Sequence, residues 1–126
     1  MEFEHDAGFR LGVALFNRRR YFDAHEALED VWRPARGEAR RFLQGMVQVA
    51  VALHHASRGN RVGARSVLAR ALGNLQPYPA HYGGVELESL RRALGPWLEA
   101  LSAGAALPPA PRIRLRRGPK SSPKRC

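Results

Sequence analysis

Apolar residues recur at helical spacing through most of this chain. Phe9, Val13 and Phe16 stand at i, i+4 and i+7 with Ala14 and Leu15 beside them, which predicts a first helix over about 6–18. Asp6 is placed to cap it, while Gly12 weakens its interior. A second helix over about 21–33 gathers Tyr21, Ala24, Leu28, Val31 and Trp32 on one side and stops at Pro34 and Gly37. The third, over about 38–57, is apolar almost all round: Phe42, Leu43, Met46, Val47, Val49, Ala50, Val51 and Leu53 leave little polar surface. Such a helix is enclosed by neighbours, so it is the expected central element. Arg58-Gly59-Asn60 then supplies a glycine stop and an asparagine cap, opening a fourth helix over about 61–75 with Val67, Leu68, Ala71 and Leu72 inward. So short a turn makes the third and fourth helices antiparallel.

Gln76-Pro77-Tyr78-Pro79 opens a loop expected to close at Gly83-Gly84. Val85, Leu87, Leu90, Leu94, Trp97, Leu98 and Leu101 mark a helical end piece that Gly95-Pro96 should break or kink. Past Gly104, prolines 108, 109, 111, 119 and 123 deny a regular helix, and disorder is expected. The predicted architecture is all-α: a compact antiparallel bundle of about five helices over residues 1–103, then a disordered basic Pro/Arg-rich tail over 104–126. A faint repeat at a spacing of forty pairs Ala24 with Ala64, Leu28 with Leu68 and Trp32 with Leu72, reminiscent of helical-hairpin arrays that serve as docking surfaces. Gly45 and Gly63, inside helices, point to close helix approach.

With 126 residues and 44% apolar side chains, one folded domain is expected. The start, Met1-Glu2-Phe3-Glu4-His5-Asp6, lacks the basic and apolar regions of a signal peptide, and the longest apolar stretch, 46–53, is interrupted by Gln48. A chain that is neither secreted nor membrane-spanning, in the cytoplasm, is the expectation. Its only cysteine, Cys126, excludes an internal disulfide.

The net charge of +10 resembles a nucleic-acid signal until it is divided along the chain. From Ala103 onward seven basic residues and no acid occur, leaving 14 basic against 11 acidic residues, a net of +3, in the body. Arg112, Arg114, Arg116 and Arg117 could contact nucleic acid through counterion release, or simply solubilise the chain.

Candidate chemistry concentrates on the second and third helices. At about 100° per residue, His25 falls beside Tyr21 and Trp32 at the margin of the apolar face, and Glu29 lies one turn further along. Glu26 points further outward, and Asp23 and Asp30 face solvent. On the third helix Arg41, Gln44, Gln48 and His55 form a polar stripe, which needs partners if buried. His25 and Glu29 are the expected partners, and His54 is rotated toward the apolar side. Imidazole and carboxylate groups on facing helices suit a divalent metal such as zinc, iron or manganese, with His25, Glu29 and His55 as ligands. The same set could act as acid and base. His25-Glu26-Ala27-Leu28-Glu29 lacks the second histidine of the zinc-protease motif, so that mechanism does not transfer. The bland reading, which we prefer, is a satisfied polar network that fixes packing. Tyr21, Phe22 and Trp32 are spaced for core packing rather than base stacking. No Walker, dinucleotide or paired Cys-x-x-Cys motif occurs.

Phe16-Asn17, Tyr21-Phe22-Asp23-Ala24-His25-Glu26-Ala27-Leu28-Glu29 with Trp32, Phe42-Leu43-Gln44-Gly45-Met46-Val47-Gln48, His54-His55 and Arg58-Gly59-Asn60 together resemble the family catalogued as domain of unknown function 309. The resemblance runs from about Leu11 to Leu94. It implies a compact all-helical bundle found in bacteria, archaea and plastids, and no reaction, substrate or cofactor. Asp23 stands where the family commonly has glutamate.

The expected function is therefore a non-catalytic binding or interaction module for a protein or small-molecule partner, with a polar cluster of His25, Glu26, Glu29, Gln44, Gln48 and His55 between its second and third helices. The alternatives are an enzyme using His25, Glu29 and His55, and nucleic-acid binding through the tail.

Overall fold

The Asp6 side chain accepts hydrogen bonds from the backbone N–H groups of Gly8 and Phe9 and so starts the first helix, as its sequence position foretold. The computed structural model describes residues 2–116. A short 3-10 turn over Glu2–His5 precedes helices α1 (Ala7–Asn17), α2 (Tyr21–Trp32), α3 (Glu38–Ser57) and α4 (Arg61–Leu75). A small hairpin of β1 (His81–Tyr82) and β2 (Val85–Glu86) leads into α5 (Leu87–Ala103). Gly83 and Gly84, both at positive φ (57° and 78°), make its two-residue turn, a backbone state that costs glycine nothing.

Successive helices pack against one another in antiparallel order. Arg40 meets the end of α2 while His54 meets its start through Phe22, and Arg41 meets Asn74 while His55 meets Asn60. The fold class is thus all-α, as predicted, with five helices among the described residues. Phe9, Phe16, Leu28, Phe42, Met46, Leu68, Leu75, Leu90 and Leu94 are fully buried in one core that α3 crosses. Ala24 and Leu28 of α2 are buried like Ala64 and Leu68 of α4, matching the repeat positions. A Cβ at Gly45 would lie 2.7 Å from Leu75 Cδ2, so the missing side chain is what allows α3 and α4 to approach so closely. At Gly63 the crowding atom belongs to Asn60, the cap of the same helix, rather than to a facing helix.

Two expectations need correction. Helix α5 is not broken at Gly95-Pro96, because Leu94, Trp97 and Leu101 on both sides are held in the core. Packing outweighs the one hydrogen bond that Pro96 cannot donate. The expected disorder from residue 104 does not apply to residues 104–116. Gly104, in the left-handed conformation, ends α5, and the chain then returns along the body. Trp97 Nε1 donates to Pro109 O (3.0 Å), and Asn17 holds Ile113 twice, donating to its carbonyl (2.9 Å) and accepting from its N–H (2.8 Å). Leu115 bridges to Val85, with Glu86 N–H donating to Arg114 O and Arg116 N–H to Gly84 O. Ile113 is only 2% exposed. Arg117 and the rest of the expected tail lie outside the described residues.

Candidate functional site

On α2 the polar residues bond mainly within their own helix. The carbonyl of Phe22 faces His25 Nδ1 at 3.0 Å, and Glu29 Oε1 faces its Nε2 at 3.6 Å. Both ring nitrogens therefore look at oxygens of their own helix. Glu29 also receives Arg33 Nη2 at 3.2 Å. Glu26 is exposed, as expected.

The polar stripe of α3 turns the other way. Gln48 Oε1 accepts from Asn74 Nδ2 (2.7 Å), and Asn74 Oδ1 accepts from Arg41 Nε (3.2 Å), so these side chains join α3 to α4. Gln44 is half-buried on the same helix. His55 Nδ1 lies 3.3 Å from Asn60 Nδ2. Asn60 Oδ1 also accepts from Gly63 N–H (2.9 Å), so one side chain both caps α4 and faces His55.

The proposed assembly of His25, Glu29 and His55 is not formed as expected: His25 and Glu29 approach each other, whereas His55, in the last turn of α3, turns its ring to the Asn60 cap of α4. Among the described residues, no three His, Cys, Asp or Glu side chains converge as a metal-ligand set. The imidazole that approaches α2 is His54. Its ring centroid is 5.3 Å from that of Phe22, whose other neighbour is His25 at 5.2 Å. Phe22 is 49% exposed, so the expectation that it packs in the core is overturned, whereas Tyr21 does pack there. A step of one residue rotates a helical side chain by about 100°, which is why adjacent histidines meet different helices.

At the other end of the α2–α3 seam, the Arg40 guanidinium lies 4.6 Å from the Trp32 ring centroid. Its Nη1 also donates to the carbonyls of Trp32, Arg33 and Ala35, closing off the end of α2. Trp32 Nε1 is buried and has no acceptor among the described residues. Nearby, an open cavity of about 660 Å³ is lined by Phe3, Val31, Ala35, Leu43 and Tyr82 with Asp6, Arg36 and Glu38 at its edge. None of the cluster residues singled out in the sequence lines it.

A helical array with a polar seam and an exposed aromatic ring is the class of domain that results. Residues 9–67 match the family described as Domain of unknown function (DUF309). The match covers most of α1, all of α2 and α3 and the first half of α4, ending short of the Leu94 limit read from the motifs. The chain is similar to Uncharacterized protein YpuF of Bacillus subtilis (strain 168), 41% identical over 65 residues, or 51% of this chain and 37% of that protein. It is also similar to an uncharacterized protein of Aquifex aeolicus (strain VF5), 30% identical over 80 residues, or 63% of this chain and 24% of that protein. The chain thus spans less than two fifths of either relative's length. Neither relative's name states an activity. No helix of the described residues is long and apolar enough to cross a membrane.

Proposed function

We propose that this chain is a non-catalytic binding module whose α2–α3 face receives a protein partner. The polar residues singled out in the sequence then act to fix packing. His25 and Glu29 stiffen α2, while Gln48 and His55 tie α3 to α4 and to its cap.

Phe22 is the observation that carries this reading. A large aromatic ring left half exposed, with an imidazole from its own helix on one side and one from α3 on the other, is a preorganised anchor of the kind that dominates binding energy. Glu26 beside it on α2 is exposed and joins no ion pair among the described residues. The segment that fits brings an apolar side chain to Phe22 and a positive charge to Glu26.

The test uses an extract of the source cells and three chains: native, Phe22→Ala and Glu26→Lys. A protein retained by the native chain, and lost from both variants while their Tm values are unchanged, is the expected result. Equal retention by all three rejects this face as the docking surface.

A further inference from the structure

Between Pro111 and Arg116 the chain alternates strictly. Pro111 and Ile113 are buried and Leu115 half-buried, whereas Arg112, Arg114 and Arg116 are exposed. This is the period of a strand, and the segment is bonded as one, by Asn17 on one side and by Gly84 and Glu86 on the other. Alternation places the Cβ atoms of the three arginines on one side of the backbone, about 6 to 7 Å apart. Arg10 of α1 lines the same cavity of about 450 Å³ as Arg112 and Arg114. Among the described residues, the ion pairs formed by arginine involve Arg20, Arg33, Arg91 and Arg92, and none engages Arg10, Arg112, Arg114 or Arg116. Glu86 bonds to the segment through its backbone N–H, to Arg114 O, and the Glu4 side chain lies beside Gly84 at the hairpin turn.

We propose that this fixed arginine row, with Arg10 beside it, binds the phosphodiester backbone of single-stranded nucleic acid. The backbone that carries the row is held by the fold before any ligand arrives, so only the arginine side chains remain to be ordered on binding. A flexible strand can lay successive phosphates along a straight row, whereas a stiff duplex presents them along a helical path. A membrane is disfavoured because the apolar residues of the segment, Ile113 above all, face the protein core rather than outward. Recognition through phosphates alone is independent of sequence and strongly dependent on salt.

Fluorescence anisotropy of a labelled oligothymidylate of about 16 nucleotides, titrated with the full chain between about 50 and about 200 mM salt, tests this. The R112Q/R114Q/R116Q variant should lose about tenfold or more in affinity at the lower salt, and its slope of log K against log salt should become shallower by about 2. The charge-matched control R36Q/R58Q/R70Q removes three exposed arginines elsewhere and should keep most of the affinity, and Tm measurements check the folding of both. Absence of binding by the native chain, retention of native affinity by the row variant, or an equal loss in the control would each overturn the proposal. So would tighter binding to a duplex of the same length, or to vesicles containing phosphatidylserine, than to the single strand.

Discussion

Helix α2 and the strand-like segment 111–116 both carry rows of charge, but they handle them in opposite ways. Between Tyr21 and Trp32 there are four acids and no lysine or arginine, and three of those acids are answered locally: Asp23 by Arg20 at 2.6 Å, Glu29 by His25 and Arg33, and Asp30 by Arg33 at 3.0 Å. On segment 111–116 the arginines alternate with core residues, and no acid pairs with them among the described residues. Locally paired charges leave little field to draw a ligand, so the distinctive chemistry on α2 is the exposed Phe22 ring. An unanswered row keeps its field and is suited to an anion.

The comparison breaks most readily at Ile113. Truncating this buried side chain to alanine should lower unfolding stability by about 2 to 4 kcal/mol in denaturant titration and weaken oligonucleotide binding with it. A cost under about 1 kcal/mol would mean that the segment is not part of the cooperative core. Next is Asn17→Ala, which leaves the Ile113 backbone without its two partners. About 1 to 2 kcal/mol should be lost, and limited proteolysis should cut within 105–116 sooner than in the native chain. On the α2 side, Phe22→Ala should change stability by no more than about 0.5 kcal/mol, since half of the ring is already in water. A large loss there would make Phe22 a structural residue and remove the basis for a docking face.

The smallest effect concerns pH. All three tyrosines are raised above 10.0, first because burial disfavours the phenolate. Glu38 adds to this at Tyr78 and Tyr82, and Tyr78 also acts on Tyr82, while Arg19 opposes it at Tyr21. The neutral phenol is thus the form the fold prefers. Its contribution is complete below about pH 10 and is lost as pH rises through the raised values. Ultraviolet titration should show phenolate appearing later in the native chain than in urea. Coincident curves would contradict the burial of these rings.

Much of the fold was legible locally. Asp6 and Asn60 cap the helices they were expected to cap, Gly59 ends α3, and the bounds of α3 and α4 agree residue for residue with the periodicity. The contact of His25 with Glu29 was also readable, since residues four apart on a helix are neighbours. The order of segment 111–116 is also written locally. Its alternation of Arg with Ile and Leu is a strand signal, and the surrounding prolines exclude a helix without excluding extended structure.

Short-range rules, namely turn chemistry, capping and the period of apolar residues, determined where the helices of this chain begin and end. Which of two adjacent histidines meets α2, whether Gln48 bonds to α2 or α4, and whether Ile113 finds a place in the core were decided only in three dimensions. Those outcomes depend on the rotation of one helix against another and on a contact between residues almost a hundred positions apart, as between Asn17 and Ile113. No local pattern encodes either, because each is the result of all the side chains competing for one interior.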